Sequence, residues 1–443
     1  MRTRLQPPIT LLMVLGLVLA ACTSSSPSPS AGASSGASAA PSGAAADLHG
    51  QTVTVIGTWT DTEETAFRAM VKPWETQTGA TVKYQGTRAI NDILAAGIPT
   101  GVLPDLAGLP GPAQMQEYVT AGALKPLDGV LDVATYTSET ASGLVDLGKV
   151  NGKTYGVFIK GAVKGLIWYS PTLHDYSSAP PATWADLMSQ IKANQGNAKA
   201  LWCLGIESGA ASGWPATDWI ENILVRQAGP QVYNDWWAGK VKWTDPAIKA
   251  AFTTYMNDVV ANTFGGGTNA VATNFANGGD PLFKSPPGCA AFQQASFITG
   301  LGAFKDKKAG TDYNAFPFPS FNSQYSTAVE GAGDLFGMFH DTPAAKSLMA
   351  YLVTAPAQDI WVKLGGALSA NKNATDYPDA ISKTMGGMLA NAGILVFDAS
   401  DQMPTDMNAG FWSHMVSLTS GKETIDAALA ALQKVADDAY KTK

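Results

Sequence analysis

Residues 52–112 read TVTVIGTWTDTEETAFRAMVKPWETQTGATVKYQGTRAINDILAAGIPTGVLPDLAGLPGP. The opening TVTVIG, residues 52–57, has the length and β-branched content of a buried strand, and residues 63–77 place Ala66, Phe67, Met70, Val71 and Trp74 at helical spacing. Residues 80–85 (ATVKYQ) return to strand alternation, residues 90–96 to helix, and a short strand at 105–108 is closed by Gly108-Leu109-Pro110-Gly111-Pro112. This βαβαβ alternation predicts an α/β fold with a parallel sheet and crossover helices. Ligands of such sheets bind outside the carboxyl ends of the strands. Here those ends carry Trp59-Thr60-Asp61, Gly86-Thr87-Arg88 and Leu109-Pro110-Gly111, so one aromatic, one carboxylate and one guanidinium face a crevice.

Further along, residues 163–170 (VKGLIWYS) form another apolar strand before Pro171, and a helix-rich stretch from Thr183 opens a second lobe. At the far end Ile425, Ala428, Leu429, Leu432, Val435, Ala436 and Ala439 mark one helical face, with Ser420 and Glu423 at capping-box spacing. No period of 20 to 50 residues marks a repeat architecture.

The 443 residues are 46% hydrophobic and 15% charged, a globular composition with room for more than one core. Thirty-six acids against 29 Lys and Arg leave a net charge of -7, which excludes the concentrated basic field that a nucleic-acid partner requires. Twelve Trp, 13 Tyr and 16 Phe suit both cores and sugar-binding clefts. Arg2 and Arg4, the apolar run 9–18 and Leu19-Ala20-Ala21-Cys22 have the layout of a secretory signal, too short to span a membrane permanently. LAAC resembles the bacterial lipobox, which implies cleavage after residue 21 and a lipid anchor on Cys22. From residue 23 to 46 every residue is Thr, Ser, Pro, Ala or Gly, so 22–46 is expected to be a flexible tether holding the folded body near a membrane. Cys203 and Cys289 remain as an even pair in an oxidising setting, and a disulfide is predicted. There is no CxxC or HExxH, and His49, His174, His340 and His414 are scattered, so no metal and no cofactor is expected.

The segments GIESGAASGWPATDW (205–219), PPGC (286–289), QQASF (293–297) and DASDQMP (398–404), in the order signal, lipid Cys, tether, βα lobe and helical lobe, resemble the extracellular solute-binding proteins of ABC importers. The resemblance is to the maltose-binding-like group and its α-glucoside branch, and runs from about residue 50 to the end. It implies a two-lobed periplasmic-binding-protein fold of type II with discontinuous lobes and a hinge. The crossings would fall near 160–164, 329–333 and 365–371, giving lobe one as 47–162 plus 331–368 and lobe two as 163–330 plus 369–443.

A sugar presents hydroxyls at its edges and C–H patches on its faces, so its site needs polar side chains at the rim and aromatic planes against the ring. Trp59 and Arg88 lie just past strand ends and match positions where the family contacts ligand; each is either a contact or surface packing. Asp61 is a candidate, or part of a helix N-cap. In the 205–219 segment Glu207 and Trp214 are the candidates, with Asp218 a helix cap if a helix starts at Trp219. Gln294 and Phe297 stand where the family places an aromatic wall, with Phe297 where some relatives carry Trp. Gly331 and Asp334 fall at the return crossing, where glycines at 331 and 333 serve as hinge or close-contact residues. Asp398, Asp401 and Trp412 lie in the stretch resembling a third binding segment.

Enzyme motifs fail. GAGDLFG (331–337) misses the dinucleotide spacing, GAASG (209–213) is not a nucleophile elbow, and no P-loop occurs. The expected function is therefore capture of an α-linked oligosaccharide by a monomeric, membrane-anchored binding protein that hands it to ABC permease transmembrane subunits and performs no chemistry. The alternatives are a secreted glycoside hydrolase, which needs only two carboxylates across a cleft, or a binding protein for a peptide or polyamine.

Overall fold

The computed structural model describes residues 47–441. The signal, the lipidated Cys22 and the tether lie outside the described residues. Twelve strands run β1 (Thr52–Gly57), β2 (Thr81–Gly86), β3 (Leu106–Leu109), the short hairpin β4 (Lys149–Val150) and β5 (Lys153–Thr154), β6 (Gly156–Val163), β7 (Leu166–Tyr169), β8 (Trp202–Cys203), β9 (Ala291–Gln294), β10 (Asn314–Pro317), β11 (Ala328–Met338) and β12 (Ile394–Phe397).

The first sheet has the order β12-β11-β3-β1-β2, with β6 on the other edge of β11. β1 lies parallel to both β2 and β3, in the alternation expected from residues 52–112. Val53 and Val55 are buried while Thr52 and Thr54 are exposed. The crossover helix Asp61–Thr78 turns Ala66, Phe67, Met70, Val71 and Trp74 inward. The sheet is not purely parallel, however. β11 arrives from far along the chain and pairs antiparallel with β3 and β6.

The second sheet, β10-β7-β9-β8, is small and mostly antiparallel. It owes its core to the helices around it, including Trp184–Ala193, Trp214–Trp237, Thr405–Thr419 and Ile425–Ala439. Trp184, Trp202, Trp219, Trp236, Trp243 and Phe411 meet in that core, which is where much of the aromatic content goes. The helix Trp214–Trp237 breaks at Gly229 (φ 87°), just before Pro230, whose ring cannot continue the preceding turn. Cys203 on β8 and Cys289 before β9 form the predicted disulfide, with Cα atoms 5.3 Å apart across a sequence separation of 86. Closing a loop of that length restricts the unfolded chain by roughly 4–5 kcal/mol in the chain-entropy model.

The chain leaves the first sheet for the second between β6 and β7, at Lys164 and Gly165. Gly165 has φ 68°, and a Cβ there would lie 1.8 Å from the Asn222 side chain, so only glycine fits this step. The return runs along β11, whose first residues pair in parallel with β12 from Ala328–Ile394 to Gly331–Phe397. Leu368 bridges to Gly161 on β6. Among the described residues no helix is long and apolar enough to cross a membrane.

Two capping expectations are corrected. The terminal helix Ile425–Ala439 is capped by Thr424, whose hydroxyl accepts from the Ala427 N–H, while Ser420 closes the preceding helix and Glu423 binds His414 Nδ1 at 2.8 Å. The turn between the two helices consumes the residues that had capping-box spacing. Asp218 is not a cap either, because the helix already begins at Trp214 and Asp218 lies inside it, 1% exposed.

Candidate ligand-binding site

A cleft open to solvent lies between the two sheets. Lys160, Ala162 and Lys164 along β6 and its exit, with Ala332, Gly333 and Asp334 of β11, line it; small side chains at 332 and 333 keep it deep. On one side stand Thr58, Trp59, Arg88 and Pro110, all just past the carboxyl ends of β1, β2 and β3. On the other stand Trp214, Phe275, Phe297 and Trp412, while Asp398, Ser400 and Asp401 follow β12 at the join between the sheets, with Asp401 packed against Gly111.

The aromatic wall is continuous. The Trp214 ring lies 5.0 Å from Phe275 and 5.9 Å from Phe297, centroid to centroid. Cations cap it: Lys164 Nζ is 4.8 Å from the Trp214 ring, the Arg88 guanidinium 4.8 Å from Phe275, and Lys160 Nζ 5.4 Å from Phe297. Trp59 is different in kind. It is 1% exposed and wedged between Trp361 at 4.6 Å, Phe67 at 5.2 Å and Phe336 at 5.7 Å, so it belongs to the core behind the first sheet and offers little open face.

Two lysines organise the charges. Lys160 Nζ lies 2.5 Å from Glu63 Oε1 and 3.8 Å from Asp334 Oδ2, and Arg88 reaches Glu63 at 3.4 Å. Burial opposes ionisation of Glu63, but Lys160 and Arg88 hold its carboxyl below the usual range; Asp334, with its looser contact, is pushed up by burial. Lys164 Nζ is 2.7 Å from both Asp218 Oδ1 and Asp398 Oδ2. Behind that pair lie Glu221 and Glu330, both fully buried, and Arg226, which donates to Asn222 and to the Ala328 carbonyl. Neither oxygen of Glu330 has a hydrogen-bond partner among the described residues. Burial pushes Asp218 up to about 7 and Glu221 and Glu330 well above the carboxylate range. Asp398, despite its burial, is held low by Lys164. Asp218, Glu330 and Asp398 have oxygens within 4.8 Å of one another, the spacing of a cation site, but the Lys164 ammonium already stands on two of the three.

Of the residues singled out in the sequence, the cleft gathers Trp59, Arg88, Trp214, Phe297, Asp334, Asp398, Asp401 and Trp412. Four others lie elsewhere. Asp61 is exposed at the start of its helix. Glu207 accepts from Gly209 N at 2.6 Å and Asn274 Nδ2 at 2.7 Å, tying its loop to a neighbouring segment. Gln294 is 1% exposed and its side chain accepts from the Ala295 N–H. Gly331 is buried, paired to Val163 and Phe397 in the first sheet. The sequence reading missed Glu63, Lys160, Lys164, Phe275 and Ser400 as lining groups. Two lysines inside the otherwise apolar GVFIKGAVKGLIWY (156–169) were the available signal, since buried lysine occurs only where it is paired.

A family model described as bacterial extracellular solute-binding protein matches residues 69–388. The osmoprotective compounds-binding protein GgtB of Synechocystis sp. is 33% identical over 391 residues, covering 86% of this chain and 91% of that protein. The alpha-glucosides-binding periplasmic protein AglE of Rhizobium meliloti is 32% identical over 407 residues, 88% of each. Among solved structures, a chitin oligosaccharide binding protein superposes with a TM-score of 0.74 at 21% identity, over 88% of this chain and 99% of that one. The bacterial solute receptor AcbH does so with 0.74 at 19%, over the same shares of 88% and 99%. The shared fold is the two-lobed α/β arrangement with a hinge.

Proposed function

The chain belongs to the bacterial extracellular solute-binding family, and from that premise we propose that it is the substrate-binding lipoprotein of an ABC importer, capturing an α-glucoside or related oligosaccharide and delivering it to the permease. The family places it outside the cytoplasm; a lipid on Cys22 would hold it to the membrane as a monomer. Lobe one comprises 47–162 plus 331–368, and lobe two 163–330 plus 369–443. The sugar specificity draws on the relatives' names, one for α-glucosides and one for osmoprotective compounds.

The observation that carries this reading is the composition of the cleft: a continuous wall of Trp214, Phe275 and Phe297 against C–H faces, with Asp334 and Asp401 beside it to accept hydroxyls. Asp401 forms no ion pair among the described residues, and Asp334 only the loose one to Lys160. The mechanism is closure about the hinge. Ligand favours the closed form only through contacts made to both sides at once, Arg88 and Asp334 from one and Trp214, Phe297 and Trp412 from the other. The permease then reads the closed shape. No step of this cycle makes or breaks a bond in the cargo.

Isothermal titration of the purified protein against maltose, trehalose, sucrose, maltodextrins and non-sugar cargoes tests the reading, with recovery of the sugar afterwards as the check for hydrolysis. Micromolar or tighter binding of one sugar, recovered intact, is expected. Silence across every sugar, or a hydrolysed ligand, would overturn it. Trp412→Ala should cost about tenfold or more in affinity, ~1.4 kcal/mol, without loss of fold, whereas Asp61→Ala should leave affinity unchanged.

A further inference from the structure

Phe275 is the wall residue that the opposite side of the cleft touches. The Arg88 guanidinium lies 4.8 Å from its ring, and a Cβ on Gly209 would stand 3.6 Å from Arg88 Cβ, so Phe275 and Gly209 together form the surface that Arg88 meets. Neither belongs to a strand or a long helix. Phe275 opens the short turn Phe275–Asn277, and Gly209 opens the turn Gly209–Ala211. Turns of this length do not hold themselves in place.

One carboxylate holds both. Glu207 Oε1 accepts from Gly209 N at 2.6 Å, and Oε2 from Asn274 Nδ2 at 2.7 Å. The Asn274 amide is used at both ends, because its Oδ1 accepts from Ala276 N at 3.0 Å and so caps the turn that carries Phe275. The backbone repeats the link: Glu207 N donates to the Thr273 carbonyl at 3.0 Å, and Phe275 N to the Glu207 carbonyl at 2.9 Å. Segment 203–207 is the fixed member of this pair, since Cys203 at its start is bonded to Cys289 and Ile206 is buried. Glu207 itself does not line the cleft.

We propose that Glu207 is a positioning residue of the binding cycle: it fixes Phe275 and Gly209 as the seat that Arg88 meets on closure, and thereby sets how long the closed form holds its cargo. The inference rests on the reading of the cleft as a sugar site that closes. It deepens that reading by assigning the lifetime of the closed form to a side chain that touches no sugar.

The test is stopped-flow tryptophan fluorescence with maltose, trehalose and sucrose on the wild-type protein, on Glu207→Gln, Asn274→Ala and Phe275→Ala, and on each of the first two combined with Phe275→Ala. Thermal melts check folding. Glu207→Gln keeps the shape of the side chain but leaves one acceptor for two donors. It should release sugar about fivefold faster, with an association rate within about twofold of wild type. Asn274→Ala, which leaves the backbone bonds of Glu207 in place, should do the same, and it decides the matter if Glu207→Gln does not fold. In the Phe275→Ala background either substitution should change the release rate by less than about twofold, because the seat it positions is already gone. Unchanged release in the folded variants, a loss confined to the association rate, or a full effect that persists without Phe275 would overturn this role and leave the cleft reading standing. Failure of every sugar to bind the wild type would overturn the cleft reading and this role with it.

Discussion

Lys160 and Lys164 stand four residues apart on the same run of chain, each nearly buried and each between carboxylates, yet their surroundings differ in one respect. Around Lys160 the count is even: Glu63 and Asp334 against Lys160 and Arg88. Around Lys164 it is not. Asp218, Glu221, Glu330 and Asp398 face only Lys164 and Arg226, with Asp401 and the Tyr233 hydroxyl adding nothing positive. In that balanced cluster Lys160 and Arg88 hold Glu63 below its ordinary range, although burial still pushes Asp334 up. In the unbalanced one burial, with neighbouring carboxylates adding to it, pushes Asp218, Glu221 and Glu330 all up. The unbalanced cluster also sits where the sheets are joined: Lys164 between β6 and β7, Glu330 on β11, Asp398 just after β12. The raised carboxyls are thus concentrated where the two sheets are joined.

The sharpest break is Lys164→Met, which strands Asp218 and Asp398 without their cation and should cost ~3–5 kcal/mol in urea denaturation. Lys160→Met should cost roughly half as much, because Arg88 still reaches Glu63. Equal losses would erase the distinction. A second contrast is the pH at which each cluster weakens. For groups raised in the folded state, the stabilisation is complete below the unfolded carboxyl pKa and is lost as pH rises through the folded value, about 7 for Asp218. The melting temperature should therefore decline between pH 5 and 8. Glu330→Gln, which replaces a carboxyl with no partner by a neutral isostere, should flatten that decline and recover about 1–2 kcal/mol at pH 8; an unchanged slope would count against proton uptake at Glu330. The smallest effect has the opposite sign of pH. Glu63 is lowered, so its contribution is present above the unfolded value and lost as pH falls through the folded one. Glu63→Gln should remove a loss of ~1 kcal/mol or less that the wild type shows below about pH 4. Melts that respond alike on both sides of neutrality would merge the two clusters into one.

The parts of this molecule that were legible in the chain are those decided locally. The alternation at 52–112 gave β1, β2 and β3 because period and turn residues act over a few positions, and the strand ends then pointed to Trp59 and Arg88. Trp214, Phe297, Asp334, Asp401 and Trp412 came from resemblance, since no local rule separates a cleft aromatic from a core one. Glu207 and Gln294 look equally suitable by type; only the fold reveals that Asn274 and Ala295 have already engaged them. Lys160 and Lys164 went unread because their partners come from distant segments, Glu63, Asp218, Asp334 and Asp398, and pairing at that range leaves no periodic trace.

β11 has a consequence in time. It forms the join between β3, β6 and β12, yet it is encoded at residues 328–338, after the whole second sheet has been made. A ribosome adding roughly 5–20 residues per second therefore spends many seconds with β1, β2 and β3 made and one edge of β3 unpaired. Such non-local pairing is slow in any case. The first sheet thus cannot be completed until most of the chain has been made, and its assembly is tied to the end of synthesis rather than to its own first strands.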